Sequence, residues 1–164
     1  MPEPTSSLQA LLDRAAITDA IVGAADAFDA QDWERLRSYL LDEIRTDYSD
    51  FRGEAPARVR ADAYVAARRQ GLSGLKTLHV STNHQICIDG DTAWCRSAYR
   101  IYRVDPSRPS GEDRLDTAGH YEHGLQRTSA GWRIASIRQT VLFRVGPADI
   151  HGAFRPSASA DVKD

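Results

Sequence analysis

The sequence predicts an α+β fold: a strongly curved, mostly antiparallel sheet forming a cone, with three N-terminal helices on its concave side. Three observations carry this expectation. Apolar residues recur at three- and four-residue steps through residues 8–70, the spacing of helices. Beyond residue 76 the pattern changes to long β-rich runs. Turn sequences, Asp89-Gly90-Asp91 and Ser129-Ala130-Gly131, divide those runs into two hairpins. Helices first and strands afterwards argue for α+β, and a curved sheet covered by helices encloses a cavity suited to a small molecule.

The elements follow in order. Residues 1–7 are polar with two prolines and read as a flexible tail. A first helix spans 8–28, with Leu8, Leu11, Leu12, Ala15, Ile21, Val22, Ala25 and Phe28 as its apolar positions. Asp29 to Asp32 break it, and Asp32 caps a second helix whose stripe is Trp33, Leu36 and Leu40. A short strand covers 44–49, and Gly53 to Pro56 form a loop. A third helix runs over 58–70, with Gly71 as its stop. The first hairpin is 77–89 with 92–104, each arm long enough that a bulge is expected. A proline-rich charged loop at 105–114 leads to the second hairpin, 115–128 with 132–145. Residues 146–164 lack regular apolar spacing and form an extension, so one domain covers 8–145.

Composition excludes several classes. A chain of 164 residues, 41 % hydrophobic and 27 % charged, buries a core without metal or disulfide support. A net charge of -2 gives no attraction to nucleic acid or membrane surfaces, and no apolar run reaches the length of a span. The N-terminus lacks a basic stretch followed by an apolar one, so it is not read as a signal peptide, and a cytoplasmic protein is expected. Cys87 and Cys95 lie on opposite arms of a tight hairpin, out of register for a disulfide. No HxH or HExxH string marks a metal site, and no phosphate loop or nucleophile elbow is present.

Several strings resemble the NTF2-like superfamily, and within it the SnoaL-like group. They are Asp29-Ala30-Gln31-Asp32-Trp33-Glu34-Arg35-Leu36, Asp47-Tyr48-Ser49, His79 through Asn83 and Ile88 through Ala93. They continue with Gly119-His120-Tyr121-Glu122-His123, Arg127-Thr128 and Gly131-Trp132-Arg133-Ile134. The group includes polyketide cyclases, and scytalone dehydratase and bile-acid dehydratases are relatives. The resemblance implies cofactor-independent proton transfer, a homodimer formed through the outer sheet face, and an acidic residue at the end of the first helix, here Asp29. A tyrosine five residues before it in the family is Ala24 here, and an aspartate of the Gly-x-Tyr-x-Asp pattern is His123.

The candidate catalytic residues are therefore Asp29, His123, His79 and Tyr48. Asp29 tipped into an apolar cavity would have a raised pKa, and pairing with it would raise and orient His123, the two forming an acid/base pair. His79 and His84 differ by five positions and face opposite ways on a regular strand, so one of them reaches the cavity unless a bulge intervenes. His79 shares a face with Ser81 and Asn83 and is preferred; with Tyr48 it would polarise a substrate oxygen or hold a water. Asn83, Tyr121, Arg138 and Trp33 are candidate substrate contacts, Arg138 by sharing a face with Trp132, Ile134 and Ser136. Arg68-Arg69 and Arg96, Arg100 and Arg103 read as solvated faces. The expected partner is a small, largely apolar oxygenated ligand, undergoing dehydration, isomerisation or cyclisation without metal or organic cofactor. A non-catalytic binding or assembly module of the same fold is the alternative.

Overall fold

The computed structural model describes residues 7–151. The tail expected at the N-terminus and residues 152–164 of the extension lie outside them, apart from residue 7. Helix α1 (Ser7–Asp29) leads to α2 (Trp33–Ser38), strand β1 (Leu40–Asp47), the one-turn α3 (Ser49–Arg52), strand β2 (Ala57–Arg60) and α4 (Ala61–Gly71). Four long strands follow: β3 (Lys76–Asp89), β4 (Thr92–Val104), β5 (Arg114–Thr128) and β6 (Gly131–Val145), then a 3₁₀ turn at Ala148–Ile150. The six strands form one unclosed, curved sheet in the order β2-β1-β6-β5-β4-β3. All neighbours are antiparallel except β1 and β6, which run parallel. This is the α+β cone with its helices on the inner face. No described helix is long and apolar enough to cross a membrane.

The helical region departs from the expectation in detail. The buried face of α1 runs through Asp13, Ile17, Ala20, Ile21, Ala24 and Ala27, while Leu8, Leu11 and Leu12 are exposed. The face is phased by a polar residue. Asp13 is 3 % exposed and receives both guanidinium nitrogens of Arg127 at 2.7 and 2.8 Å and the Trp132 indole at 3.2 Å. Asp32 caps α2 through the Arg35 amide at 3.0 Å. That helix stops at Ser38, so Leu40 belongs to β1 and buries from a strand. Strand β2 has almost no buried position, so its four residues show no alternation to read.

Bulges bend the sheet. The β3–β4 ladder slips between Thr82 and Gln85, and Asn83 there takes φ of 55°. The β5–β6 ladder slips between Ala118 and Gly119 and again between Gly124 and Leu125. Each added residue turns the following side chains to the opposite face and increases the local twist. In the first hairpin Cys87 lies opposite Trp94 and Cys95 opposite Ile86, and both cysteines are free thiols.

Candidate active site

The concave face of the sheet, α1, α3 and α4 enclose a cavity with about 810 Å³ of unoccupied space, counting its opening to solvent. Ile21, Ala24, Phe28, Leu36, Leu40, Ile134 and Ile137 make its apolar wall. Tyr48, Tyr64, Tyr99, Tyr121, His79, His123 and Gln139 bring polar groups to it, with Arg52, Arg68 and Arg103. His151, just past the 3₁₀ turn, is buried and also lines the cavity, so the described part of the extension closes over the site.

His79 projects inward from β3 and stacks on Phe28 with ring centroids 5.4 Å apart. Its Nδ1 lies 2.5 Å from Asp29 Oδ1, and its backbone N–H donates to Asp29 Oδ2 at 2.7 Å. The Thr77 hydroxyl donates to Oδ1 at 2.8 Å. Asp29 ends α1, so the contact between α1 and β3 aligns the carboxylate with the imidazole. Asp29 stands behind His79 rather than on the cavity wall. Burial works to raise its pKa, but the hydrogen bonds and charge of His79 and the Thr77 hydroxyl outweigh burial, and the net shift is downward. The raised pKa expected of Asp29 is therefore reversed: the carboxylate is held ionised. Its partner is His79, with Nε2 left as the imidazole's second nitrogen.

His123 sits elsewhere on the wall, 8 % exposed, against Tyr121 with ring centroids 5.3 Å apart. Its Nδ1 is buried without a hydrogen-bond partner among the described residues. Burial, aided by the charge of His84, pushes its pKa down to about 4. The expected pairing with Asp29 is not made, and this imidazole is neutral at physiological pH. Tyr121 also packs on Tyr99, at 4.6 Å between centroids. Tyr48 follows β1 rather than lying on it, and its hydroxyl shares a hydrogen bond of 2.8 Å with that of Tyr64. Burial raises the pKa of both phenols, so they are neutral hydrogen-bonding groups.

The bulges redraw the rest of the expected site. Asn83 is the left-handed residue of the β3 bulge and is exposed, away from the cavity. The same bulge puts His84 back on the inner side, where its Nε2 lies 2.9 Å from the Ser81 hydroxyl. Both histidines of β3 therefore point inward. In β6 the extra residue at Ala135 turns Arg138 outward. Its side chain is 60 % exposed, 3.5 Å from Asp47 and 3.6 Å from Glu122. Trp33 packs edge-on against Phe28 in the core, 6.4 Å between centroids, and does not line the cavity. Polar residues absent from the sequence-based set also line it, among them Tyr64, Tyr99, Gln139, His151, Arg52, Arg68 and Arg103. Tyr64 and Arg68 are four apart on one helix, and Arg103 shares the parity of Tyr99 on β4, which are the signals that could have placed them.

A family model described as SnoaL-like domain matches residues 9–138. The scytalone dehydratase Arp1 of Aspergillus fumigatus is 24 % identical, over 88 % of this chain and 92 % of that protein. Among solved structures, the Kfla4162 protein from Kribbella flavida superposes with a TM-score of 0.83 at 28 % identity, covering 87 % of this chain and 99 % of that one. A type 2 LinA hexachlorocyclohexane dehydrochlorinase superposes at 0.72 with 19 % identity, over 93 % and 99 % of the two chains, a likeness of fold. With most of its length matched by that model and the cone reproduced, this chain belongs to the SnoaL-like domain family.

Proposed function

We propose that the protein is a cofactor-independent lyase or isomerase that moves a proton on a small, largely apolar oxygenated substrate held in the cone. The observation that carries this is His79 at the cavity wall with Asp29 behind it on Nδ1. A carboxylate on Nδ1 fixes the tautomer and ring orientation and stabilises the imidazolium formed when Nε2 takes a proton from a carbon next to a carbonyl or leaving group. In an elimination, that carbon's bonding pair forms the double bond, and the leaving group departs with the displaced pair. The one O–H of the Tyr48–Tyr64 pair not spent on its partner, together with neutral His123, donates to the substrate oxygen. His79 is thus the base, Asp29 its positioning residue, and Tyr121 a wall of the pocket. His79 and His123 line one unfilled cavity, with Asp29 behind His79, and this supports the reading over a purely structural module.

The test is proton exchange. A panel of cyclic ketones and β-hydroxy ketones is incubated in D₂O, and deuterium incorporation is followed by NMR. His79→Ala should lose about 10²-fold or more of exchange with folding intact. Asp29→Asn should lower exchange less than His79→Ala does, because the ring loses the carboxylate that fixes its tautomer and orientation but keeps Nε2 as the base. Unchanged exchange in His79→Ala would sink the proposal. Exposed Leu78, Val80 and Trp94 on the outside of the first hairpin support a homodimer, and sedimentation at micromolar concentration decides it.

A further inference from the structure

We propose that the substrate carries a carboxylate, bound by Arg52, Arg68 and Arg103 beside the Asp29–His79 pair; this rests on the catalytic reading above and names its substrate class. Three guanidinium groups line the cavity, and no carboxylate is among its described lining residues. Arg103 is 3 % exposed and donates to the Thr117 hydroxyl at 3.0 Å, but its Nε is buried without a partner among the described residues. The same holds for Nε of Arg52 and of Arg68. The one carboxylate near Arg52, Glu54, is 3.9 Å away and is itself well exposed.

Elsewhere the chain pairs its arginines closely. Arg37, Arg108, Arg114 and Arg127 each meet a carboxylate at 2.6 to 2.9 Å. The cavity arginines are instead held by aromatic faces. Arg52 and Arg68 lie 4.8 and 4.9 Å from the Tyr48 ring, Arg68 lies 4.8 Å from Tyr64, and Arg103 lies 5.4 Å from Phe51. Stacking orients a guanidinium through its flat face and leaves its N–H edge unsatisfied. A buried charge without a partner is costly, and a planar carboxylate is the acceptor that matches a guanidinium fork. The apolar wall is suited to the carbon body of such an acid.

The ladder fixes where the carboxylate lies relative to the base. Arg103 faces Thr77 across β3–β4, and Thr77 is the hydroxyl bonded to Asp29. His79 is the next inward residue of β3. A carboxylate on Arg103 therefore sits beside the imidazole, with the reacting carbon a few bonds from the acid group. The guanidinium groups hold a charge that is present before reaction, which separates their task from that of the tyrosines.

Calorimetric titration of the full chain at neutral pH with benzoate and with the neutral isostere benzamide tests this without needing turnover. Benzoate should bind about tenfold or more tightly than benzamide. Arg103→Met should bring the two within about threefold, and Arg68→Gln, on a partly exposed helix face, should reduce the gap in a protein that still folds. Asp29→Asn should keep the preference, so failure of the proton-transfer reading and failure of this one appear in different measurements. Equal binding of the two ligands, no benzoate binding at millimolar concentration, or a preference that survives both arginine variants overturns the proposal. Inorganic phosphate displacing benzoate at matched concentration would replace the carboxylate with phosphate and also overturn it.

Discussion

At the scale of single residues, the buried histidines set a pH dependence. Unfolded His123 protonates near 6.5, whereas in the folded cavity burial holds it to about 4. Between those values the unfolded chain binds a proton that the folded chain refuses. Stability from this group is therefore complete above pH 6.5 and falls as the pH drops towards 4. The loss amounts to on the order of 3 kcal/mol across that window. Denaturant unfolding at several pH values should show it, and His123→Gln should flatten the slope by about 1 kcal/mol per pH unit. Asp29 acts in a lower window. Its folded pKa lies below 3.8, so its contribution is present above that value and is lost only as the pH falls further. Asp29→Asn should remove part of the acid limb of the stability profile below that value. Asp29 and His79 were legible as residues because a helix-ending carboxylate and a strand histidine stood in recognisable strings. Their pairing was not, because fifty residues separate them and only the packing of α1 on β3 brings them together.

At the scale of elements, what the sequence conceals is the bulge. The two long hairpins are legible from alternation and turn residues, and β4, free of a bulge of its own, keeps one parity from Ala93 to Arg103. Alternation counts residues, so one extra residue inverts every assignment beyond it. That inversion accounts for Asn83, His84 and Arg138. The β3 bulge is testable. Asn tolerates the left-handed backbone at position 83, and a β-branched residue does not. Asn83→Val should cost about 1–2 kcal/mol in denaturant unfolding, whereas Asn83→Gly should be close to neutral. Gly119, beside another bulge, has no such tolerance, since a Cβ there would stand 1.9 Å from the Thr140 carbonyl oxygen. Gly119→Ala should destabilise by about 3 kcal/mol, read from the denaturation midpoint.

At the scale of the whole molecule, Asp13 fastens the helical cover to the end of the second hairpin. It takes Arg127 through both carboxylate oxygens and the Trp132 indole through one, and Arg127 also lies 4.5 Å over the Trp132 ring. These contacts span more than a hundred positions of the chain, so they bind its two halves. Asp13→Ala leaves a buried indole N–H without its acceptor and Arg127 with Asp91 alone, and should cost about 3 kcal/mol in thermal or denaturant unfolding. The charge of this residue was visible in the sequence, but the apolar leucines before it suggested a different buried face. A buried carboxylate with its partners on distant strands leaves no local pattern to detect.

The parallel pairing of β1 with β6 has a kinetic consequence. Leu40 lies opposite Ile134 and Asp47 opposite Arg138, so strands near the two ends of the domain are neighbours in the sheet. Loop closure over roughly 90 residues is entropically slow, whereas the β3–β4 and β5–β6 hairpins close locally. The hairpins should form early in refolding, with β1, β2 and the helices between them docking in a later phase. On the ribosome, β1 has no neighbour on that side until β6 has emerged, so the cavity is the last part of the molecule to be assembled.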